Sequence, residues 1–122
     1  MAPNTTGNLA MVYDDLTSLT AVAMVNLSSD TSTITVTASD INGNIIATSA
    51  PIVLPPLNKV ETVLKAFPGL AAIDGKRGKV TFVSSGGSVS ILGLRFRGGA
   101  FTNIPATPAY QLGKFTGAPW IL

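Results

Sequence analysis

The chain has no cysteine and no histidine among its 122 residues. Without cysteine no disulfide braces the fold, and the sequence carries no mark of its redox compartment. Without either residue, the usual zinc, copper and haem sites and the histidine-dependent triads lose their central members. Charge is scarce as well: Asp, Glu, Lys and Arg make up 11% of the chain, against 46% hydrophobic residues. No apolar run approaches the ~18 residues a membrane helix needs, so the apolar content must be folded inside or set against a partner. The opening residues, MAPNTTGN, have neither the basic nor the apolar region of a signal peptide, and the compartment is not read from them.

What charge there is lies unevenly. All six acids (Asp14, Asp15, Asp30, Asp40, Glu61, Asp74) fall at or before residue 74, and six of the eight bases follow it. Nucleic-acid binding wants a denser basic patch with interleaved aromatics, so a net charge of +2 excludes it as an expectation. Arg95 and Arg97 are the candidate anion contacts, weighed against ordinary solvated strand ends. Asp14 and Asp15 are adjacent, and neighbours on a strand point to opposite faces. Ca²⁺ takes 6–8 oxygens, and no further acid lies close in sequence, so the pair reads as a turn. No metal and no cofactor is expected.

Thr, Ser, Val and Ile are abundant and Gly and Pro punctuate often, which predicts an all-β chain. Length predicts one domain over residues 1–122, with a sandwich core at about 9–105 and an aromatic tail at 106–122. Residues 9–13 (LAMVY) read as a first strand, and 19–27 (LTAVAMVNL) as a second, apolar on both faces. The clearest alternation follows: Ile34, Val36 and Ala38 interleave with Thr33, Thr35, Thr37 and Ser39, a half-buried strand with a threonine-rich outer face. It runs to Asn42-Gly43, which suits a type I′ hairpin turn. Pro51 puts the return strand at an edge or a bulge. Over 58–67, Val60, Val63, Leu64 and Phe67 fall at i, i+3, i+4 and i+7 behind Asn58 and Glu61, which predicts one short capped helix.

Residues 79–105 organise the rest, as three strand segments separated by Gly86-Gly87 and Gly98-Gly99. In the middle segment Val89 and Ile91 are in phase with Arg95 and Arg97, while Leu94 and Phe96 are in phase with each other. A bulge at Leu92-Gly93 would bring Val89, Ile91, Leu94 and Phe96 to the core and turn both arginines outward. The fold expected is an antiparallel sandwich of about seven strands with one short helix.

Five stretches, AMVNLSS (23–29), DINGNIIAT (40–48), LPPLNKVETVLKAFPGL (54–70), KRGKVTF (76–82) and SILGLRFRGGAFTNIP (90–105), resemble an immunoglobulin-like β-sandwich repeat module of large secreted or surface bacterial proteins. The likeness covers about 19–105, and its most specific part is the LGLRF…FTNIP ending. It implies a secreted or cell-surface location and a structural or adhesive role, with other domains of a larger protein as partners. The tail lies outside it.

Three function classes follow. A structural or interaction module fits the scarcity of acid–base groups and the threonine face. A carbohydrate-binding module is the alternative, using the tail: Tyr110, Phe115 and Trp120 as stacking rings or as an interface, and Gln111 to orient hydroxyls. An enzyme is least favoured, because the serines have no histidine and a Ser-Lys pair drawn from Ser84, Ser85 and Lys79 is too generic. The apolar tail also predicts packing along a sheet edge, its own or a neighbour's, and in the second case a homo-oligomer.

Overall fold

The computed structural model describes residues 8–86, 89–97 and 100–108. Among these, ten strands form two antiparallel sheets. They are β1 (Asn8–Asp14), β2 (Leu19–Asn26), β3 (Ser32–Asp40), β4 (Ile45–Thr48), β5 (Ile52–Leu54), β6 (Lys59–Val63), β7 (Arg77–Ser85), β8 (Val89–Arg97), β9 (Ala100–Pro105) and β10 (Thr107–Pro108). The larger sheet runs β10-β1-β7-β3-β4, with β5 also on β3, and the smaller runs β6-β2-β8-β9. The architecture is immunoglobulin-like in being a face-to-face antiparallel sandwich, the chain crossing between sheets after β1, β2, β5, β6, β7 and β9.

The alternation read in β3 is realised residue by residue: Ser32, Ile34, Val36 and Ala38 are buried, and the threonines between them face out. Opposite partners share a face, so β7 adds Val80 and Phe82 to the same side through the pairs Ala38↔Val80 and Val36↔Phe82. From β1 come Leu9, Met11 and Tyr13. The smaller sheet answers with Val22 and Met24 of β2 and Val89 and Ile91 of β8. Two 3-10 turns, Leu64–Ala66 and Ala71–Ile73, add Leu64, Phe67, Leu70 and Ile73 to this one core.

The helix expected at 58–67 is not formed. Residues Lys59–Val63 are β6, paired with β2 from Val25↔Lys59 to Ala21↔Val63, and a 3-10 turn follows without a side-chain cap. KVETV also carries a period of two, and β2 needs partners for its main-chain groups on that side. A five-residue strand satisfies them; an isolated helix of this length is marginal. The two extra edge segments and the split return strand account for ten strands where about seven were expected.

Three further details differ from expectation or sharpen it. The hairpin at Asn42-Gly43 has a left-handed torsion at Gly43 alone (φ 88), with Gly43 N–H donating to the Asp40 carbonyl (3.0 Å). It is a type I turn closed by a glycine bulge rather than type I′. The return strand is broken between β4 and β5, as Pro51 requires. At the break Ser49 N–H donates to the Val36 carbonyl (2.7 Å), and Ser49 Oγ accepts from Val36 N–H (2.9 Å). In the Pro55-Pro56-Leu57-Asn58 turn, Asn58 N–H donates to the Pro55 carbonyl (3.1 Å) while Leu57 holds φ at 61.

The bulge expected at Leu92-Gly93 is also absent. Pairing of β2 with β8 is continuous from Leu19↔Phe96 to Asn26↔Val89, and that of β8 with β9 from Leu92↔Pro105 to Arg97↔Ala100. Gly93 therefore faces inward. A β-carbon there would lie 2.5 Å from Met11 Sδ and 2.9 Å from the Ile104 carbonyl oxygen. The glycine is a notch that receives the Met11 thioether from the facing sheet. Leu94 and Phe96 consequently lie on the outer face, Phe96 39% exposed, and not in the core beside Val36 and Phe82. Arg95 takes the inward parity, near enough to the end of the sandwich to remain exposed.

Candidate interaction face

Because β2 and β8 carry apolar residues on both of their sides, the smaller sheet has an apolar outer face. Reading across the register, that face holds the rows Leu19/Phe96, Ala21/Leu94, Ala23/Leu92 and Val25/Ser90. Strand β6 continues it with Val63, Glu61 and Lys59, and β9 places Asn103 opposite Leu94. Leu92 is 41% exposed. The larger sheet is the contrast: Thr33, Thr35, Thr37 and Ser39 of β3 stand opposite Ser85, Val83, Thr81 and Lys79 of β7 on its outer side. A solvated sheet face is ordinarily polar. Exposed Val12, Ile45, Val53 and Val83 also stand on the larger sheet's outer side, set among the threonines, Ser39, Ser85 and Lys79, whereas on the smaller sheet the apolar positions of β2 and β8 adjoin one another across the register.

The apolar face also has relief. The β8 row is large (Leu92, Leu94, Phe96), and the β2 row beside it has Ala21 and Ala23 at its middle. A ridge therefore runs next to a furrow, and the two occupy the central strands of the sheet. Among the described residues, charge on this face is confined to Lys59 and Glu61 of β6.

The polar groups singled out by sequence lie elsewhere. Asp14 closes the turn after β1: its Oδ1 accepts from Leu16 N–H (2.9 Å) and Thr17 N–H (3.0 Å), and its Oδ2 from the Thr17 hydroxyl (2.7 Å). The Thr17 amide leads in holding the Asp14 carboxyl down at about 2, with the Thr17 hydroxyl, Leu16 amide and Arg77 adding to it. Asp15 is buried. Its Oδ1 accepts from Thr20 N–H (3.1 Å), while Oδ2 has no partner among the described residues. Burial pushes its carboxyl up from the ordinary range, against the Thr20 hydrogen bonds. The pair is thus a turn, as expected, with one member sequestered. No group of three or more His, Cys, Asp or Glu that could hold a metal occurs among the described residues.

Arg95 lines a shallow cleft of about 270 Å³ together with Tyr13, Asp14, Ile41, Arg77 and Ile104. Arg97 shares its strand face by parity but is not part of that lining. Among the described residues, ion pairs join Lys65 to Asp74 (2.8 Å) and Arg77 to Asp14 (4.0 Å). The cleft thus sets one further cation beside an opposed pair. Tyr110, Gln111, Phe115 and Trp120 lie outside the described residues.

Local sequence pattern does not single out this outer apolar face. Its signal is the L-x-L-x-F spacing of Leu92, Leu94 and Phe96, three residues of one parity whose alternate positions are Gly93 and Arg95.

No protein-family model matches the chain, and no curated protein matches it. Among solved structures it is similar to the crystal structure of Thermotoga maritima 1070. The two are 12% identical with a TM-score of 0.61, and the match covers 84% of this chain and 90% of that one. At that identity the likeness shows a shared fold.

Proposed function

We propose that this chain is a non-catalytic module of a secreted or surface bacterial protein, with a structural, adhesive or protein-interaction role exercised through the outer face of the smaller sheet. The observation that carries this reading is the contiguity of the apolar rows Leu19/Phe96, Ala21/Leu94 and Ala23/Leu92 on the outer face of the smaller sheet, where the larger sheet intersperses its exposed aliphatics with threonine, serine and lysine. Exposed apolar surface that is contiguous, and bordered by charge on one edge, is the usual mark of a docking surface. The resemblance in the sequence supports the location.

The test is fluorescence of a hydrophobic-surface dye with the full chain and with Leu92→Lys, both at high dilution so that no second copy covers the face. Leu92 points outward, so the variant keeps the far-UV CD and the unfolding midpoint of the parent but loses most of the dye signal. Equal dye binding by the two proteins would show that this face is not the docking surface. Turnover of a chromogenic ester, glycoside or phosphoester that disappears in Asp14→Asn would overturn the non-catalytic reading.

A further inference from the structure

The apolar face of the smaller sheet has a shape that fits a second copy of itself, and we infer that the chain forms a two-fold dimer by stacking this face on its own equivalent. The inference rests on the docking role just proposed and names its occupant.

The first argument is the relief. In the order β6-β2-β8-β9, the furrow strand and the ridge strand are the central pair. A two-fold axis parallel to the strands and midway between β2 and β8 exchanges left for right. It therefore sets β8 of one copy over β2 of the other, twice. Leu92 and Leu94 of each copy then stand above Ala23 and Ala21 of its partner, large side chains over small ones. The axis is at the centre of the sheet, so the overlap is the largest the face allows. An interface of this isologous kind needs only one surface patch, complementary to itself.

The second argument is twist. Two sheets pack face to face at about 10 Å only when their right-handed twists agree, as in the two layers of any sandwich. A second copy supplies the same twist by construction.

The third is area. Strand spacing and rise give the four strands a flat footprint of roughly 450 Å², and side-chain relief raises the accessible area above that. Two copies bury about 1,000 Å² in all, the level a specific interface must clear. The composition is that of a buried core with a polar rim: Lys59 and Glu61 sit on the edge strand, and in this arrangement they border the partner's β9 at the periphery. Nothing charged faces the centre.

Sedimentation equilibrium of the full chain, up to about 300 µM so as to reach weak interfaces of this size, decides the matter with two variants. Leu92→Lys places a charge on the ridge. Ala23→Phe leaves the face apolar and fills the furrow. Loss of either contact is expected to raise the dimer dissociation constant about 30-fold or more, the scale of a central interface residue. The dye assay, run at a dilution where the face is uncovered, separates the two readings: Ala23→Phe keeps the dye signal of the dilute wild type while losing the dimer at high concentration. A dimer unchanged or tightened by Ala23→Phe would overturn the ridge-over-furrow stacking. A wild-type monomer across the whole range, with dye binding still dependent on Leu92, would overturn the second copy as occupant and leave the docking face standing.

Discussion

Replacing Gly93 by alanine measures the interlock between the two sheets. The added methyl carbon meets Met11 Sδ at 2.5 Å, the Ile104 carbonyl oxygen at 2.9 Å and Ile104 Cβ at 3.1 Å. Met11 is 1% exposed, so its thioether has no solvent to retreat into, and the Ile104 oxygen belongs to the main chain of β9. Overpacking of this kind costs about 1–3 kcal/mol. Lower entropy of the unfolded alanine chain returns about 0.4–1 kcal/mol of that. A net loss of about 1–2 kcal/mol is expected, read as a fall in urea midpoint at constant m by far-UV CD. Met11→Ala alone opens a cavity and costs about 2–5 kcal/mol. The double variant puts a methyl where the thioether was, so the two changes should fall short of additive by about 1 kcal/mol. A Gly93→Ala protein within about 0.5 kcal/mol of wild type, strictly additive with Met11→Ala, would refute the notch.

Phe82→Ala should cost about 3–5 kcal/mol in the same assay, and Phe96→Ala, on the outer face, about 1 kcal/mol or less; equal losses would mean that Phe96 is core. Leu57→Gly should stabilise by roughly 0.5–1 kcal/mol, because leucine holds a left-handed torsion there while 74% exposed; a destabilised variant would show that the Leu57 side chain is anchored in solution. For pH, Asp14 and Asp15 act in opposite directions. The folded Asp14 carboxyl sits at about 2, below its ordinary 3.8, so its contribution is present above 3.8 and is lost as pH falls towards 2. Asp15 is raised, so the folded state holds its proton longer, and stability declines as pH rises from 3.8 through the folded value. Asp15→Asn should remove that decline and leave the acid limb intact; an unchanged pH profile between 4 and 7, on the scale of ordinary carboxylate titration, would show that Asp15 is solvated.

Strand β3 was legible from sequence because one face is threonine throughout and the other aliphatic, so only one register buries the right set. Strands β2 and β8 were not, because both of their faces are apolar and periodicity is silent on which side meets the core. The choice was made by Gly93 and Met11, residues 82 positions apart, a contact no local pattern contains. The segment from Lys59 to Phe67 satisfied a helical period and a strand period at once, and what decided it was the unpaired side of β2, again a long-range demand. For the site the lesson is similar. Asp14 and Asp15 were legible as a turn, since neighbouring carboxylates diverge on a strand, but the burial of Asp15 depends on Thr20 and on the close approach of Lys76, whose carbonyl accepts from Asp15 N–H (2.8 Å). The outer face is silent in the sequence because Leu92, Leu94 and Phe96, at alternate positions, suit a buried side of the strand as well as an outer one.

Ser49 and Pro51 also govern how the chain behaves when many copies are crowded together, as in a tandem array. An open sheet edge is a template on which strand after strand can be added without limit. Here the outermost lane of the larger sheet is cut into pieces of four and three residues, and at the cut the β3 amide of Val36 is already answered by a side chain. An incoming strand would find no continuous row of donors and acceptors on that edge. Growth by edge addition is blocked on this side, whereas a two-fold stack of faces consumes its own surface and terminates. Such a molecule can be packed densely without seeding fibres from that edge.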